Sequence, residues 1–190
     1  MYTDLKQFLL KYADFSDEEL TDIVSRFKIR SIKSNDFVLT QGEICKDLLF
    51  VQKGCLRLYY MKDEIEVSVW FSFQHTSAIE VQSFISGMPS NYFLQSIEDS
   101  EVFFLSKQEV NKLSLCQPKM QLMMRNLWED VLLNLISRFT ALQTDSAEKR
   151  YLDLLSKPPY LNSIPLKYLA SFIGVTPTSL SRIRKQIKSH

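Results

Sequence analysis

The sequence predicts an α+β fold with N-terminal helices, an antiparallel β-roll of the jelly-roll type, one long helix and a C-terminal helical region. Three patterns support this prediction. Apolar and polar residues alternate in short runs between residues 36 and 105, as in antiparallel strands. Apolar residues then recur every three or four positions between Met120 and Leu142, as on one side of a long helix. Finally, Gly174 separates two short amphipathic segments, which is typical of two helices joined by a tight turn.

The first 29 residues are predicted to be helical. Ser16 and Glu19 have the spacing of a capping box, in which each side chain binds a backbone N–H at the start of the helix. Ser106 and Glu109 have the same spacing and are predicted to open a later helix in the same way.

Six short strands are predicted between these two capping boxes, because their apolar residues alternate or form short continuous runs. A short helix over residues 79–85, ending at Gly87, is expected among them. Short strands at close spacing with few helices favour a closed antiparallel arrangement. The predicted strands are residues 36–40, 48–51, 56–60, 65–71, 92–94 and 101–105.

A long helix is predicted to begin after Pro118. Its apolar stripe has the spacing of a coiled-coil seam over about three heptads, so residues 118–144 are interpreted as a dimerisation helix. The alternative is that the stripe packs only on the roll of its own chain. Further apolar residues widen the stripe enough for one helix to contact both. Asp145 and Glu148 are expected to cap the helix that follows.

The C-terminal segment 164–187 is predicted to form two short helices. Pro165 and Pro177 suit first helical positions, Gly174 suits the left-handed end of the first helix, and Thr176 suits the cap of the second. Two such helices, the second with a small and basic outer face, form the helix-turn-helix that reads the DNA major groove. The alternative is an ordinary helical hairpin whose basic residues are only hydrated.

Charge is distributed unequally along the chain. Residues 146–190 contain eight Lys or Arg against two Asp or Glu, whereas residues 1–145 contain fifteen against twenty. The net charge of +1 therefore combines an acidic part with a basic C-terminal part. This asymmetry favours a nucleic-acid-binding end attached to another module.

Several protein classes are disfavoured by the 190 residues of the chain. No apolar run approaches the roughly 20 residues of a membrane span, and the N-terminus lacks a signal-peptide pattern, so a cytoplasmic protein without membrane contact is expected. No serine elbow, phosphate-binding loop or catalytic pair is present, and we predict no enzyme and no catalytic residue. An enzyme built on a β-roll would need a histidine cluster. No disulfide framework or metal site is predicted from Cys45, Cys55, Cys116, His75 and His190.

With its elements in this order, the chain resembles the Crp/Fnr family of bacterial transcription regulators, the cyclic-AMP receptor type. The resemblance covers almost the whole chain and is most specific in the last motif. The matching residues are Gln41-Gly42-Glu43, Lys53-Gly54, the segment 77–99, and Leu169-Ala170 through Leu180-Ser181-Arg182.

The resemblance implies three parts. These are a cyclic-nucleotide-binding-like sensor roll over residues 1–117, a dimerisation helix over 118–144, and a helix-turn-helix DNA-binding domain over 145–190. It also implies a homodimer that binds double-stranded DNA, with RNA polymerase as a further candidate partner. The alternative function is a sensor or scaffold module that acts by protein contact without specific DNA binding.

The ligand cassette departs from the family pattern. Family members that bind cyclic nucleotides carry a Gly-Glu pair and an Arg-Ser/Thr-Ala triplet, whose arginine pairs with the phosphate. Here Ile79 precedes Glu80, and Ser90-Asn91-Tyr92 stand at the triplet. Residues 63–106 contain no Lys or Arg to replace the missing charge, and a buried phosphate needs such compensation. A cyclic nucleotide such as cyclic AMP is therefore disfavoured, and no cofactor is predicted. The roll is expected to sense an unknown small ligand or none. The candidate pocket residues are Glu80, Ser90, Asn91 and Tyr92.

The predicted DNA contacts lie on the second C-terminal helix. Arg182 matches the family's Ser-Arg pair, and its guanidinium has the fork geometry that binds guanine, so it is the candidate for base contact. Thr178 and Ser181 are expected on the same face. Contacts to phosphate, which position the protein without specifying sequence, are predicted for Thr176, Ser179, Arg184, Lys185 and Lys188.

Overall fold

The structure is a computed structural model that describes residues 2–156 and 164–188. Its α+β composition with antiparallel sheets agrees with the prediction. The helices are α1 (Thr3–Leu10), α2 (Asp17–Ser25), α3 (Val81–Ser86), α4 (Lys107–Cys116), α5 (Pro118–Thr144), α6 (Ala147–Leu155), α7 (Leu166–Phe172) and α8 (Pro177–Lys188). The strands are β1 (Lys28–Ile32), β2 (Phe37–Leu39), β3 (Asp47–Lys53), β4 (Cys55–Lys62), β5 (Ile65–Phe73), β6 (Ser77–Ala78), β7 (Phe93–Ser96) and β8 (Ser100–Ser106).

The strands form two four-stranded antiparallel sheets, in the orders β1-β8-β3-β6 and β2-β7-β4-β5. Both sheets contribute to one core, in which Leu56 and Leu94 of the second sheet lie in the same cluster as Phe50 and Phe103 of the first. Helices α1, α2, α4 and the first half of α5 close this core. The roll is thus held together by buried apolar side chains that come from both sheets and from the helices around them.

The prediction of a helix over the first 29 residues is wrong at its end, because Lys28 and Ile29 pair with Phe104 and Phe103 as the start of β1. The capping box of α2 is confirmed, since Ser16 Oγ accepts a hydrogen bond from the Glu19 N–H and the Glu19 carboxylate accepts one from the Ser16 N–H. Backbone pairing with β8 therefore ends the N-terminal helical region.

The other two predicted caps differ from expectation. Ser106 Oγ caps α4 through the Glu109 N–H at 3.2 Å, but the Glu109 carboxylate binds Arg26 instead of the cap backbone. At α6 the cap is Ser146, whose side chain accepts from the Lys149 N–H. In both cases a carboxylate predicted to cap the helix is in an ion pair, Glu109 with Arg26 at 2.9 Å and Asp145 with Lys149 at 2.8 Å.

Glycines stand where the backbone requires a positive φ. Gly54 has φ +93°, and a Cβ at this position would collide with Ser100 of β8. Gly174 has φ +75° and ends α7, as predicted. The turn after α7 therefore has the left-handed geometry that the sequence indicated.

The C-terminal helices pack on the roll through a second core. Phe71 and Phe73 of β5 lie in one buried cluster with Tyr151, Phe172 and Leu180. This contact places α7 against the second sheet. Within the described ranges, no helix combines the length and the apolar character needed to cross a membrane.

Candidate functional site

Glu80, the acidic residue of the candidate cassette, is used to start a helix. It is only 3% exposed. Its two carboxylate oxygens accept hydrogen bonds from the N–H groups of Gln82 and Ser83, each at 3.0 Å. These are N–H groups of the first turn of α3, which have no partner within the helix. The carboxylate therefore caps α3 and has both oxygens engaged.

Ser90 is also engaged locally. It is 2% exposed, and its hydroxyl accepts from the Tyr92 N–H at 3.0 Å. The Ser90 N–H donates to the Glu43 carbonyl and its carbonyl accepts from the Gly42 N–H, both at 2.8 Å. Asn91 is exposed beside it. Ser90 thus ties two turns of the roll together instead of offering its hydroxyl to a ligand.

A cavity of about 730 Å³ lies between the roll and α5. Of the four predicted pocket residues, Glu80 and Tyr92 line it, whereas Ser90 and Asn91 do not. Sequence reasoning missed most of its wall, although the apolar stripe of α5 could have indicated one side. The wall includes Phe8 of α1, Tyr12 just after it, Trp70, Phe71 and Ser72 of β5, and Val131, Leu135, Arg138, Phe139 and Leu142 of α5.

The charged groups at this cavity already have partners. Lys11 Nζ lies 2.8 Å from Asp130 Oδ2, and the Tyr12 hydroxyl donates to the same oxygen at 2.9 Å. The hydrogen bond from Lys11 lowers the pKa of Asp130 below its usual range, against an opposing effect of burial. The Arg138 guanidinium donates to the Phe172 carbonyl at 2.7 Å. The ionised groups at the cavity therefore satisfy one another or the backbone.

Arg57 lies at the contact between the roll and α7. It is 0% exposed, and its Nη1 lies 2.7 Å from Glu66 Oε2. Its Nε donates to Ser68 Oγ at 2.9 Å. Its guanidinium carbon lies 3.6 Å from the centre of the Tyr168 ring and 4.2 Å from that of Tyr59. These five residues join β4 and β5 to α7.

Two further contacts strengthen the same junction. Ser171 Oγ accepts from the Ser68 N–H at 2.7 Å and donates to the Glu66 carbonyl at 3.1 Å. The Phe71 and Phe172 rings meet edge to face with centroids 5.2 Å apart. Helix α7 is therefore attached to β5 by hydrogen bonds, an aromatic pair and a buried cation.

The predicted DNA contacts occupy different environments. Thr178, Arg182 and Lys185 are exposed along one side of α8. Thr176 Oγ1 caps α8 by accepting from the Ser179 N–H at 3.1 Å, as the sequence indicated.

The remaining predicted contacts lie less openly. Ser181 is half-buried and its hydroxyl donates to the Pro177 carbonyl at 3.0 Å. Arg184 is half-buried and donates through Nε to the Tyr151 hydroxyl at 2.9 Å. The side chain of Lys188 lies outside the described part of the chain.

The second half of α5 carries exposed apolar side chains. Among them, Leu132 is 56% exposed, Ile136 52% and Phe139 61%. The first half is buried instead, with Met120, Met123 and Leu127 in the core of the roll. Helix α5 thus packs on its own roll at one end and presents an uncovered apolar face at the other.

The two buried thiols, Cys45 and Cys55, are not activated as nucleophiles. Burial raises the pKa of Cys45 and of Cys55, which keeps both thiols protonated. Within residues 2–156 and 164–188, no three His, Cys, Asp or Glu side chains form a group that could hold a metal ion.

Residues 29–115 match the family model of the cyclic nucleotide-binding domain. The chain matches this model from β1 into α4. Its resemblance to the Crp/Fnr regulators is confirmed in the fold. No curated protein matches the sequence.

Solved structures of bacterial regulators share the fold along most of the chain. The c-di-GMP-responsive global regulator CLP of Xanthomonas campestris has a TM-score of 0.72 at 17% identity, over 92% of each chain. A CooA mutant from Carboxydothermus hydrogenoformans has a TM-score of 0.70 at 15% identity, over 95% of this chain and 83% of that one. A putative Crp/Fnr-family regulator from Eubacterium rectale has a TM-score of 0.70 at 14% identity, over 93% and 85%.

The cassette of this domain does not supply a cation for a cyclic phosphate. Ser90, at the position where the resemblance implies an arginine in nucleotide-binding members, has its hydroxyl bonded to the backbone of Tyr92. Lys11 and Arg138, the basic residues that line the cavity, have the partners given above. The match to the family model therefore concerns the fold of residues 29–115.

Proposed function

We propose that this chain is a dimeric, sequence-specific transcription regulator of the Crp/Fnr type, in which the roll responds to a small ligand. The C-terminal region, residues 145–190, is its DNA-binding domain, and α7 and α8 form a helix-turn-helix. The observation that carries the proposal is α8, whose Leu180 is fully buried while Thr178 and Arg182 are exposed. An exposed face of this chemistry suits a recognition helix in the major groove.

Charge supports the same assignment. No Asp or Glu follows Asp153 in the sequence, whereas Arg182 and Lys185 lie on the exposed side of α8. Clustered positive charge attracts the phosphate backbone of DNA. Arg182 is the residue we assign to base contact, and Thr178 and Ser181 are assigned to the same face. Thr176, Ser179, Arg184, Lys185 and Lys188 are assigned to phosphates.

Dimerisation is assigned to α5. An uncovered row of Leu132, Leu135, Ile136 and Phe139 is exposed by 46% or more at each position. Two such rows paired about a two-fold axis would bury each other as in a coiled coil. The pairing would present two copies of α8 to a near-palindromic site. Such a regulator acts in the cytoplasm, with RNA polymerase as the partner that would transmit its effect.

Selection from random duplex DNA at low salt tests the proposal. Wild-type protein is expected to enrich a near-palindromic sequence with half-sites about 34 Å apart, and the complex should contain two chains per duplex. Arg182→Ala should reduce discrimination between sites by about 1–3 kcal/mol per half-site while leaving weak, salt-sensitive binding. Arg30→Ala is the matched control, because Arg30 is exposed on β1, away from α8.

Two results would contradict the proposal. Site preference that survives in Arg182→Ala would remove this residue from base contact. Absence of any enriched sequence with wild-type protein would favour the alternative, a sensor or scaffold that acts by protein contact through the exposed face of α5.

A further inference from the structure

The inference concerns the chemistry of the cavity beside α5. We propose that this cavity binds an uncharged, predominantly apolar ring compound, and that this ligand stabilises the seating of α7 on the roll. The proposal rests on the proposed function, in which the roll is the ligand-responsive half of a regulator. It names a ligand class that differs from the anionic nucleotides after which the domain family is named.

Volume and lining are the first support. The cavity encloses about 730 Å³, within the range of about 300–1,000 Å³ that is typical of sites for small organic ligands. Trp70 and Phe71 of β5 and Val131 and Leu135 of α5 give it an aromatic and aliphatic wall. A wall of this kind binds an apolar ring through surface burial and dispersion contacts.

Charge complementarity is the second support. Lys11 and Asp130 pair with each other, and His75 Nε2 lies 3.6 Å from Asp4 Oδ2. Both Glu80 oxygens accept from α3, and Arg138 binds the Phe172 carbonyl. An ionic ligand would have to replace one of these contacts in order to be neutralised. The neutral polar groups on the wall, which include Ser72 and Thr76, can serve a ligand that carries a hydroxyl or carbonyl.

Three residues of the cavity wall also contact the C-terminal helices. The Phe71 ring meets the Phe172 ring at 5.2 Å, and Arg138 donates to the Phe172 carbonyl. Leu142 packs beside Gly174, since a Cβ built on Gly174 would lie 3.4 Å from Cδ2 of Leu142. A ligand that fills the cavity would restrain these side chains directly. Its binding energy would therefore act on the position of α7 through single contacts.

Titration of the full-length protein with Nile red, an uncharged aromatic dye whose fluorescence rises in apolar surroundings, tests the inference. Ser72 lines the cavity and is 3% exposed, so Ser72→Phe would fill part of the space. Ser72→Ala, which leaves the space open, is the matched control. We expect saturable binding of one dye per chain in wild type and Ser72→Ala, weakened about ten-fold or more in Ser72→Phe by steric exclusion.

A second variant guards against a folding defect of Ser72→Phe. Val131 lines the facing wall on α5 and is half-buried, so Val131→Phe should weaken dye binding as well. Coupling is measured by hydrogen exchange. At a dye concentration ten times the Kd, amides of α7 should exchange up to about ten-fold more slowly in wild type, with no change in the filled variants.

Several outcomes would overturn the inference. These are no saturable binding by wild type, equal binding by both filled variants, or displacement of the dye by cyclic AMP. Dye binding that appears only when a dimer dissociates would show that the partner's α5 occupies the cavity. The readout does not involve DNA. Sequence selection without dye binding would therefore refute only the ligand class, and dye binding without sequence selection would refute only the proposed function.

Discussion

The two faces of the β4–β5 pair differ in the side chains that they bury, since one buries a charged residue and the other apolar residues. Toward α7, Arg57 is fully buried with a carboxylate, a hydroxyl and two aromatic rings around it. On the side of the roll interior, Leu56 and Leu58 pack into the core, and the adjoining cavity has Ser90 turned away from it. Arg57 is the one Lys or Arg that is buried among the described residues.

This difference indicates what each surface binds. A buried guanidinium is stable only where preformed partners offset its loss of hydration, and such partners exist at the junction with α7. The candidate cassette lies within residues 63–106, which contain no Lys or Arg, and lacks that arrangement. The buried guanidinium of the roll therefore faces the C-terminal helices of its own chain.

The largest expected effect is on the aromatic contact at the junction. Phe172 is 7% exposed and touches both Phe71 and Arg138. Phe172→Ala should lower the free energy of unfolding by about 3 kcal/mol or more, because it leaves a cavity in the second core. Urea unfolding measures the loss. Phe37→Ala on β2, where the ring is 49% exposed, is the control and should cost less than about 1 kcal/mol. Equal losses would mean that the junction contributes no more than a surface contact.

The next effect concerns the buried cation. Arg57→Met keeps the aliphatic length but removes the charge between Glu66 and Tyr168. Glu66 is 34% exposed and can be hydrated once unpaired, so we expect a loss of about 2 kcal/mol, below the usual cost of breaking a fully buried pair. Arg30→Met is the control, because Arg30 stacks on Phe104 at 4.3 Å while exposed. Unchanged stability of Arg57→Met would show that apolar packing alone holds α7 in place.

The smallest effect is predicted at the rim of the cavity. The Lys11 hydrogen bond lowers the pKa of Asp130 in the folded state. The unfolded state therefore binds more protons near pH 4, and the stabilisation is present above that pH and lost as pH falls through the lowered pKa. The pair is exposed by 61% and 40%, so its contribution is at most about 1 kcal/mol.

Thermal unfolding of wild type and Asp130→Asn between neutral pH and pH 3 measures this contribution. The stability of Asp130→Asn should fall less steeply as the pH is lowered. Glu129→Gln, which removes the exposed pair with Arg125 on the same helix, is the control. Its pH dependence of stability should equal that of wild type. An equally steep loss of stability in Asp130→Asn would show that Asp130 does not contribute to the acid response.

Elements that depend on neighbouring residues were predictable. The cap at Ser16, the left-handed turn at Gly174 and the cap at Thr176 require only groups within a few positions, and all three are present. The helix assigned up to residue 29 failed where a long-range partner decided the outcome, since Ile29 pairs with Phe103. Local hydrophobic spacing contains no information about which distant strand will supply hydrogen bonds.

The candidate site shows the same division. The absence of a cation in the cassette was predictable from the sequence of residues 63–106, because it depends on residue types alone. The burial of Arg57 was not predictable from the sequence, because it requires Tyr168 and Ser171 to reach β5 from the far end of the chain. Arg184 was predicted to contact phosphate, and in the structure it donates to the Tyr151 hydroxyl within the C-terminal helices; its phosphate contact stays a prediction. Residue pattern specifies helices, strands and turns through short-range sterics and hydrogen bonds, but packing decides where a charge can be buried, since only packing gathers the groups that replace its water.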